Sequence, residues 1–192
     1  MQVLGIISDT HGSLPEAALD VLRGWYGPGQ VVERVNVDRA AELPAGDPAP
    51  CDLIVHAGDI GAQWVLDELR ALAPLVAVLG NCDYPDYWLD GKQVGQHAVG
   101  SLCGVTFAVL HRPEDLMAAT RGAGVLQPAF IKPIPRLLIH GHTHVPKIAT
   151  QAAGYVVCPG GISRPRGGHG PCVARVYVEE PAKLLAIEIV RI

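Results

Sequence analysis

"VLGIISDTHG", residues 3–12, is an apolar, β-rich run that stops at Asp9 and is followed at once by His11. A short run of this kind, apolar on both faces, reads as a buried strand. The same pattern returns four times. "CDLIVHAGD" (51–59) closes on Asp59, and "PLVAVLGNCD" (74–83) closes on Asn81. "SLCGVTFAVLH" (101–111) closes on His111, and "PRLLIHGHTH" (135–144) closes on His142 and His144. Between the early runs lie amphipathic stretches. "SLPEAALDVLRGW" (13–25) offers Ser13 as an N-cap with Pro15 and Glu16 in the first turn, and "GAQWVLDELRALA" (61–73) is a second helix.

Later the chain turns to strands alone: "HVPKIATQ", "YVVCP", "CVARVYVE" and "KLLAIEIVRI". The last two alternate in the manner of strands with one wet face. Strands alternating with helices early and dominating late imply an α/β protein, with two sheets or one mixed sheet covered by helices. The 192 residues are read as a single domain, 1–192. Residues 26–50 separate the first helix from the second strand with weak periodicity and many Gly and Pro. They read as an insertion, a flap or a partner surface.

Apolar residues make up 49% of the chain and charged residues 18%, which places it among globular proteins. The net charge of −4, with no basic tract, argues against strong binding to a nucleic-acid backbone, which depends on Lys and Arg neutralising phosphates. A small phosphorylated substrate stays open, because a metal can supply positive charge locally. Five cysteines, an odd number without a CxxC pair, argue against a disulfide framework and for a reducing cytoplasm. The start lacks the basic residues and cleavage site of a signal peptide, and the longest apolar segment is too short to span a bilayer. The oligomeric state is open, a homo-oligomer included.

The chemistry sits at the strand ends. Asp9, His11, Asp59, Asn81, His111, His142 and His144 are nitrogen and oxygen ligands in a number greater than one tetrahedral metal needs. In open α/β sheets, sites form at the carboxyl ends of strands. Seven such ligands suit two metal ions about 3.5–4 Å apart, sharing a carboxylate. In "DTH" and "HTH" the ligands are two residues apart, and on an extended backbone they would face one side. Any one Asp or His at a strand end reads equally well as a cap or a hydrogen-bonded core residue; the ordered set does not.

"SDTHG", "HAGD", "GNCD", "LH" and "HGHTH" resemble the calcineurin-like metallophosphoesterase superfamily, and within it the small bacterial and archaeal phosphodiesterase branch with G-N-C-D. "CPGGISRPRGG" (158–168) resembles the "NPGS…R" segment of that branch. The resemblance implies a four-layer α-β-β-α sandwich of two mostly mixed sheets flanked by helices. It implies one metal held by Asp9, His11, Asp59 and His144, and a second held by Asp59, Asn81, His111 and His142, with Asp59 as the bridge. The cofactors would be two divalent transition-metal ions, manganese first, with iron, zinc or nickel as alternatives. The reaction implied is hydrolysis of a small, nucleotide-like phosphodiester by a bridging hydroxide.

Three positions depart from the superfamily pattern. Cys82 stands where most members have a histidine that protonates the leaving group. A thiol would do this poorly, which favours good leaving groups, or it is a small buried residue with no chemistry. Asp83 orients this corner. Arg112 stands where the branch often has Gly, and either reaches a substrate phosphate or is solvated. Cys158 replaces an Asn, altering a turn. His56 and His140 read as structural or supporting residues, His97 and His169 as surface residues, and Trp25, Trp64 and Trp88 as packing. Two other readings are weighed. One is a metal-binding interaction scaffold, since some relatives of this fold, including a retromer subunit, work through protein contacts. The other, a Ser/Thr phosphatase, is disfavoured: "GDIG" lacks the Arg of G-D-x-x-D-R-G, and Cys82 replaces a His.

Overall fold

The run that opens the chain becomes β1 (Gln2–Ile7), which lies inside a six-stranded sheet. The structure is a computed structural model and describes residues 1–38, 43, 48–122, 134–151 and 153–192. On one side of β1, β3 (Leu53–His56) and then β4 (Leu75–Ala77) run parallel to it. On the other side come β12 (Cys172–Glu179), β13 (Lys183–Arg191) and β2 (Val31–Asn36), each antiparallel to its neighbour. A second sheet has five strands. Its core is β8 (Val105–Leu110) parallel to β9 (Leu137–Ile139), with β7 (His97–Leu102) outside β8. β11 (Gly154–Cys158) and then β10 (Lys147–Gln151) lie beyond β9. A small ribbon pairs β5 (Trp88–Leu89) with β6 (Lys92–Gln93).

Side-chain alternation decides which layer each strand residue joins. Val3, Ile7 and Ile54 face α1 (Glu16–Arg23) and α2 (Gln63–Leu72), packing on Leu22, Val65, Leu66 and Leu69. Leu4, Ile6 and Val55 face the other way and meet Phe107, Val109, Leu137 and Ile139 of the second sheet. Ala108, Leu110 and Leu138 turn outward again, under Leu116 and Ala119 of α3 (Pro113–Thr120). The order is therefore helices, sheet, sheet, helix, a four-layer sandwich of two mixed sheets. Each fully buried Leu, Ile or Val contributes roughly 1.5–3 kcal/mol. Among the described residues, no helix is long and apolar enough to cross a membrane.

Several expectations change. β12 and β13 have no wet face; nearly every residue on both is buried, because helices cover one side and the second sheet the other. Their polar members Arg175 and Glu188 are fully buried and sit opposite each other in register. The stretch 101–111 is not one strand: Ser101 and Leu102 end β7, the chain turns at Cys103–Gly104, and Val105–Leu110 return as β8. α1 begins later than read: its N-cap is Pro15, with no side-chain cap bond, and Ser13 lies outside. α3 was not anticipated. Within 26–50, residues 31–36 form the edge strand β2; residues 39–42 and 44–47 of that piece lie outside the described residues.

Candidate metal centre

Because β1, β3 and β4 are parallel, their carboxyl ends share one rim; β8 and β9 present theirs likewise in the second sheet. Hydrogen bonds draw the two rims together. His111 Nδ1–H donates to the Ala57 carbonyl at 2.8 Å and the His142 N–H donates to Asp9 Oδ2 at 3.1 Å, while within the second rim the Gly141 N–H donates to the His111 carbonyl at 3.0 Å. All the candidate ligands thus come from loops that leave strand ends on facing sheets.

The loops reach inward through left-handed turns. Asp9, His11, Asp59, His142 and His144 have φ values of 53°, 46°, 54°, 67° and 58°. This corrects the extended geometry expected of "DTH" and "HTH". Each such residue costs about 1–3 kcal/mol of backbone strain and persists only where the surroundings over-determine it. Close approach is allowed by two glycines. A Cβ on Gly80 would stand 2.0 Å from Asp59 Oδ1, and one on Gly58 would stand 2.6 Å from His111 Nδ1.

The lone pairs then converge. His144 donates from Nδ1 to the carbonyls of Ser163 (2.9 Å) and Arg164 (3.0 Å), so its Nε2 carries the lone pair. That lone pair faces Asp9 Oδ1 at 3.2 Å, an oxygen that is buried and has no hydrogen-bond partner. His111 repeats the arrangement. Its Nδ1–H is taken by Ala57, and its buried Nε2, also without a partner, faces Asp59 Oδ2 at 3.4 Å. The same Asp59 oxygen lies 3.6 Å from His11 Nε2, while Asp59 Oδ1 accepts the Cys82 N–H at 2.9 Å. Buried acceptors facing one another repel unless a cation or a proton lies between them. Burial opposes ionisation of Asp59, yet the facing His111 ring and the Cys82 N–H outweigh it and hold the carboxyl well below its usual range. Burial likewise works against charge on His111, but Asp59 outweighs it and draws a proton toward the ring. The donor set of imidazoles and carboxylates is one that divalent transition metals accept.

The predicted residues fall into two neighbouring groups. His11 stacks on His144 (centroids 5.5 Å apart) beside Asp9, and His142 meets His111 edge to face at 5.2 Å. Ligand atoms of Asp9, His11 and His144 fit within one 4.8 Å cluster, as do those of Asp9, Asp59 and His111. Asp59 lies between the groups. Asn81 is on the His111 side, where it lines a cavity of about 230 Å³ with His111, Arg112, Gln96 and Asp115. Arg112 is half-exposed at that cavity's edge, loosely paired with Glu114 at 4.0 Å. Cys82 is exposed, so the reading of it as a small buried residue fails; Asn81 Nδ2 donates to its sulfur at 3.3 Å. Desolvation and the Asp59 carboxylate both raise its pKa. Asp83 accepts N–H bonds from Ile60 (2.8 Å), Gly61 (3.1 Å) and Gly80 (2.8 Å), tying the Asp59 loop to the Asn81 loop. Its oxygens are used in positioning, so it stands one step back from the chemistry.

Neighbouring histidines are finished differently. His56 is fully buried with both nitrogens occupied: Nδ1 accepts from Gly58 N–H at 3.2 Å, and Nε2–H donates to Thr10 Oγ1 at 2.9 Å. His140 bonds the Gly141 carbonyl through Nδ1 at 2.9 Å. Trp25, Trp64 and Trp88, read as packing residues, are 49%, 46% and 55% exposed, so about half of each remains outside any packing. Sequence reasoning passed over the Ser163 and Arg164 carbonyls and Thr10, since backbone acceptors and hydroxyls around a histidine leave no motif.

A family model described as the calcineurin-like phosphoesterase superfamily domain matches residues 1–181. The "Probable metallophosphoesterase" of Methanocaldococcus jannaschii is 32% identical, the match covering 97% of this chain and 82% of that protein. Among solved structures, one described as a novel archaeal phosphodiesterase superposes with a TM-score of 0.63 at 19% identity, covering 98% of this chain and 99% of that one. Vps29 of Entamoeba histolytica, complexed with zinc, superposes at 0.61 and 17% identity, covering 97% and 91%. At these identities the two solved structures speak to the fold.

Proposed function

The chain belongs to the calcineurin-like phosphoesterase superfamily, and from that premise we propose that it hydrolyses the phosphodiester bond of a small, nucleotide-like substrate. The centre would use two divalent transition-metal ions, manganese foremost, with iron, zinc or nickel as the other candidates. Asp9, His11, Asp59 and His144 would hold one ion, and Asp59, Asn81, His111 and His142 the other. When bound, such a pair supplies charge neutralisation for the phosphoryl group and a water activated near neutral pH.

The chain's own residues do the rest. The carbonyls of Ala57, Ser163 and Arg164 fix the His111 and His144 rings with Nε2 inward, so no reorganisation is needed at binding. Asp83 clamps the loops that carry Asp59 and Asn81. Arg112, beside Asn81 and His111, presents a fork of donors suited to a non-bridging phosphate oxygen. Cys82, exposed next to the Asp59 carboxylate, is a weak proton donor, so esters whose alcohols leave without protonation are favoured. Five free thiols support action in a reducing cytoplasm.

One observation carries this reading: buried, partnerless Asp9 Oδ1 and His111 Nε2 each face a further metal-ligand atom across 3.2–3.4 Å. Open lone pairs kept at the expense of five strained residues favour a metal-binding centre, and turnover of a diester is what separates hydrolysis from the metal-binding scaffold reading suggested by the zinc-complexed Vps29 neighbour. Purified protein is expected to bind close to two metal ions per chain and to cleave a bis-aryl phosphate. Inactivity with manganese, nickel, zinc and iron each supplied would reject the proposal.

A further inference from the structure

Four large aromatic side chains stand exposed among the described residues: Trp25, Trp64, Tyr84 and Trp88. Three of them belong to one corner. Tyr84, 74% exposed, follows Cys82 and Asp83 directly. Asp83 binds the N–H groups of Ile60 and Gly61, which lead into α2, and Trp64 is on the first turn of that helix. Gln63, its neighbour, holds Trp88 by both backbone groups: Oε1 accepts the Trp88 N–H at 2.9 Å and Nε2 donates to the Trp88 carbonyl at 2.9 Å. The Trp88 backbone and the loop carrying Tyr84 are therefore fixed to the same frame that holds Asp59 and Cys82. Exposed aromatic residues grouped on one rigid corner beside a polar centre mark a binding surface.

Resting on the hydrolase reading above, we propose that Tyr84 and Trp88, with Trp64 on the same corner, form a stacking platform for a planar ring carried by the substrate, an aryl group or nucleobase on one ester arm. Three features favour a ring over an alkyl chain. The side chains are flat and stay partly exposed, which suits the face of a π-system that itself stays partly wet. The corner borders Cys82, where the departing alcohol must be a good leaving group, and aryl alcohols meet that demand. The platform residues are also separate from those that line the cavity beside the centre, Asn81, His111, Arg112, Gln96 and Asp115 among them. A diester has two arms, and the centre offers one polar and one aromatic surface to receive them.

The test compares substrates that differ in the ring alone. With metal-loaded protein, the ratio of kcat/KM for a phenyl methyl diester to that for a hexafluoroisopropyl methyl diester, whose departing alcohols are of similar acidity, is measured. Tyr84→Ala is expected to lower this ratio about tenfold, equivalent to about 1.4 kcal/mol, and Tyr84→Phe to restore it. Trp88→Ala should lower it as well, while Trp25→Ala, an exposed tryptophan elsewhere, should not. Binding is read separately by calorimetry with adenosine 5′-monophosphate against ribose 5-phosphate, and Tyr84→Ala should narrow the gap between them. Unchanged ratios in Tyr84→Ala and Trp88→Ala would overturn the platform, as would a shift of these variants from dimer to monomer on size exclusion with selectivity intact. Loss of the nucleobase preference in binding, without hydrolysis of any diester, would keep the platform and reject the hydrolase reading.

Discussion

Beneath α1, Arg175 and Glu188 lie fully buried and opposite each other on β12 and β13. Glu188 accepts the hydroxyls of Tyr26 (2.7 Å) and Tyr177 (2.8 Å) on one oxygen and the Arg34 guanidinium on the other. Arg175 donates to the carbonyls of Val21 and Ala49 and stands 5.6 Å from the centroids of both tyrosine rings; only its Nε–H lacks a partner. At the rim of the same sheet, Asp9 and His111 are as deeply buried, but Asp9 Oδ1 and His111 Nε2 are left as bare acceptors facing other acceptors. One group closes on itself and holds the fold. The other is complete only with something positive between its members. Burial of charge alone does not separate structure from function; the distribution of unmet lone pairs does.

Substitutions in the two groups should therefore fail in different ways. Asp59→Ala is expected to reduce bound metal to one ion or fewer per chain and to lower diester hydrolysis by more than about 10³-fold, with little loss of thermal stability. Glu188→Ala should leave metal content unchanged but leave the buried hydroxyls of Tyr26 and Tyr177 without their acceptor, costing about 1–3 kcal/mol and lowering the melting temperature by roughly 5 °C. Metal analysis and thermal melts on the two variants settle the contrast. A large stability loss in Asp59→Ala with metal retained would break it.

A smaller effect tests where His56 belongs. It lies beside the centre, but both its nitrogens are used, which places it with the closed group. Burial foremost, then the nearby His111, pushes its pKa down to about 3. In the unfolded chain an imidazole titrates near 6.5, so between those values the unfolded state binds the extra proton. Its contribution to stability is whole above about 6.5 and is lost as pH falls toward about 3, with a slope of at most about 1.4 kcal/mol per pH unit. Urea midpoints of metal-free protein across that window should fall with pH, and His56→Gln should flatten the fall. An unchanged slope would assign the acid sensitivity to other groups.

The open group was legible in the sequence and the closed one was not, for physical reasons. "SDTHG", "GNCD" and "HGHTH" place polar residues at the ends of apolar runs, where a strand must stop and a site can start. The left-handed backbone of Asp9, His11, Asp59, His142 and His144 was hidden, because local preference points away from it and only tertiary contacts impose it. Arg175 and Glu188 suggested a solvent face on β12 and β13, since charge on a strand is normally hydrated. What neutralises them comes from far away: Tyr26 is 162 residues from Glu188 and Arg34 is 154. β2 was missed for a related reason. Five of its six residues are exposed, so no apolar stripe announces it.

The smallest change expected falls on Cys82, which belongs to neither group. Its backbone N–H serves the centre through Asp59, while its exposed thiol accepts from the Asn81 amide and lies within 4.8 Å of ligand atoms of Asp59 and His11. A histidine here would add an imidazole able to protonate a departing alcohol, without removing a metal ligand or a core contact. Cys82→His is therefore expected to raise kcat several-fold for diesters with poor leaving groups and to change aryl diesters little. The measurement is a plot of log kcat against leaving-group pKa, whose slope should flatten in the variant. A parallel shift, or a loss across the series, would mean that the position shapes the Asn81 loop and takes no part in proton transfer.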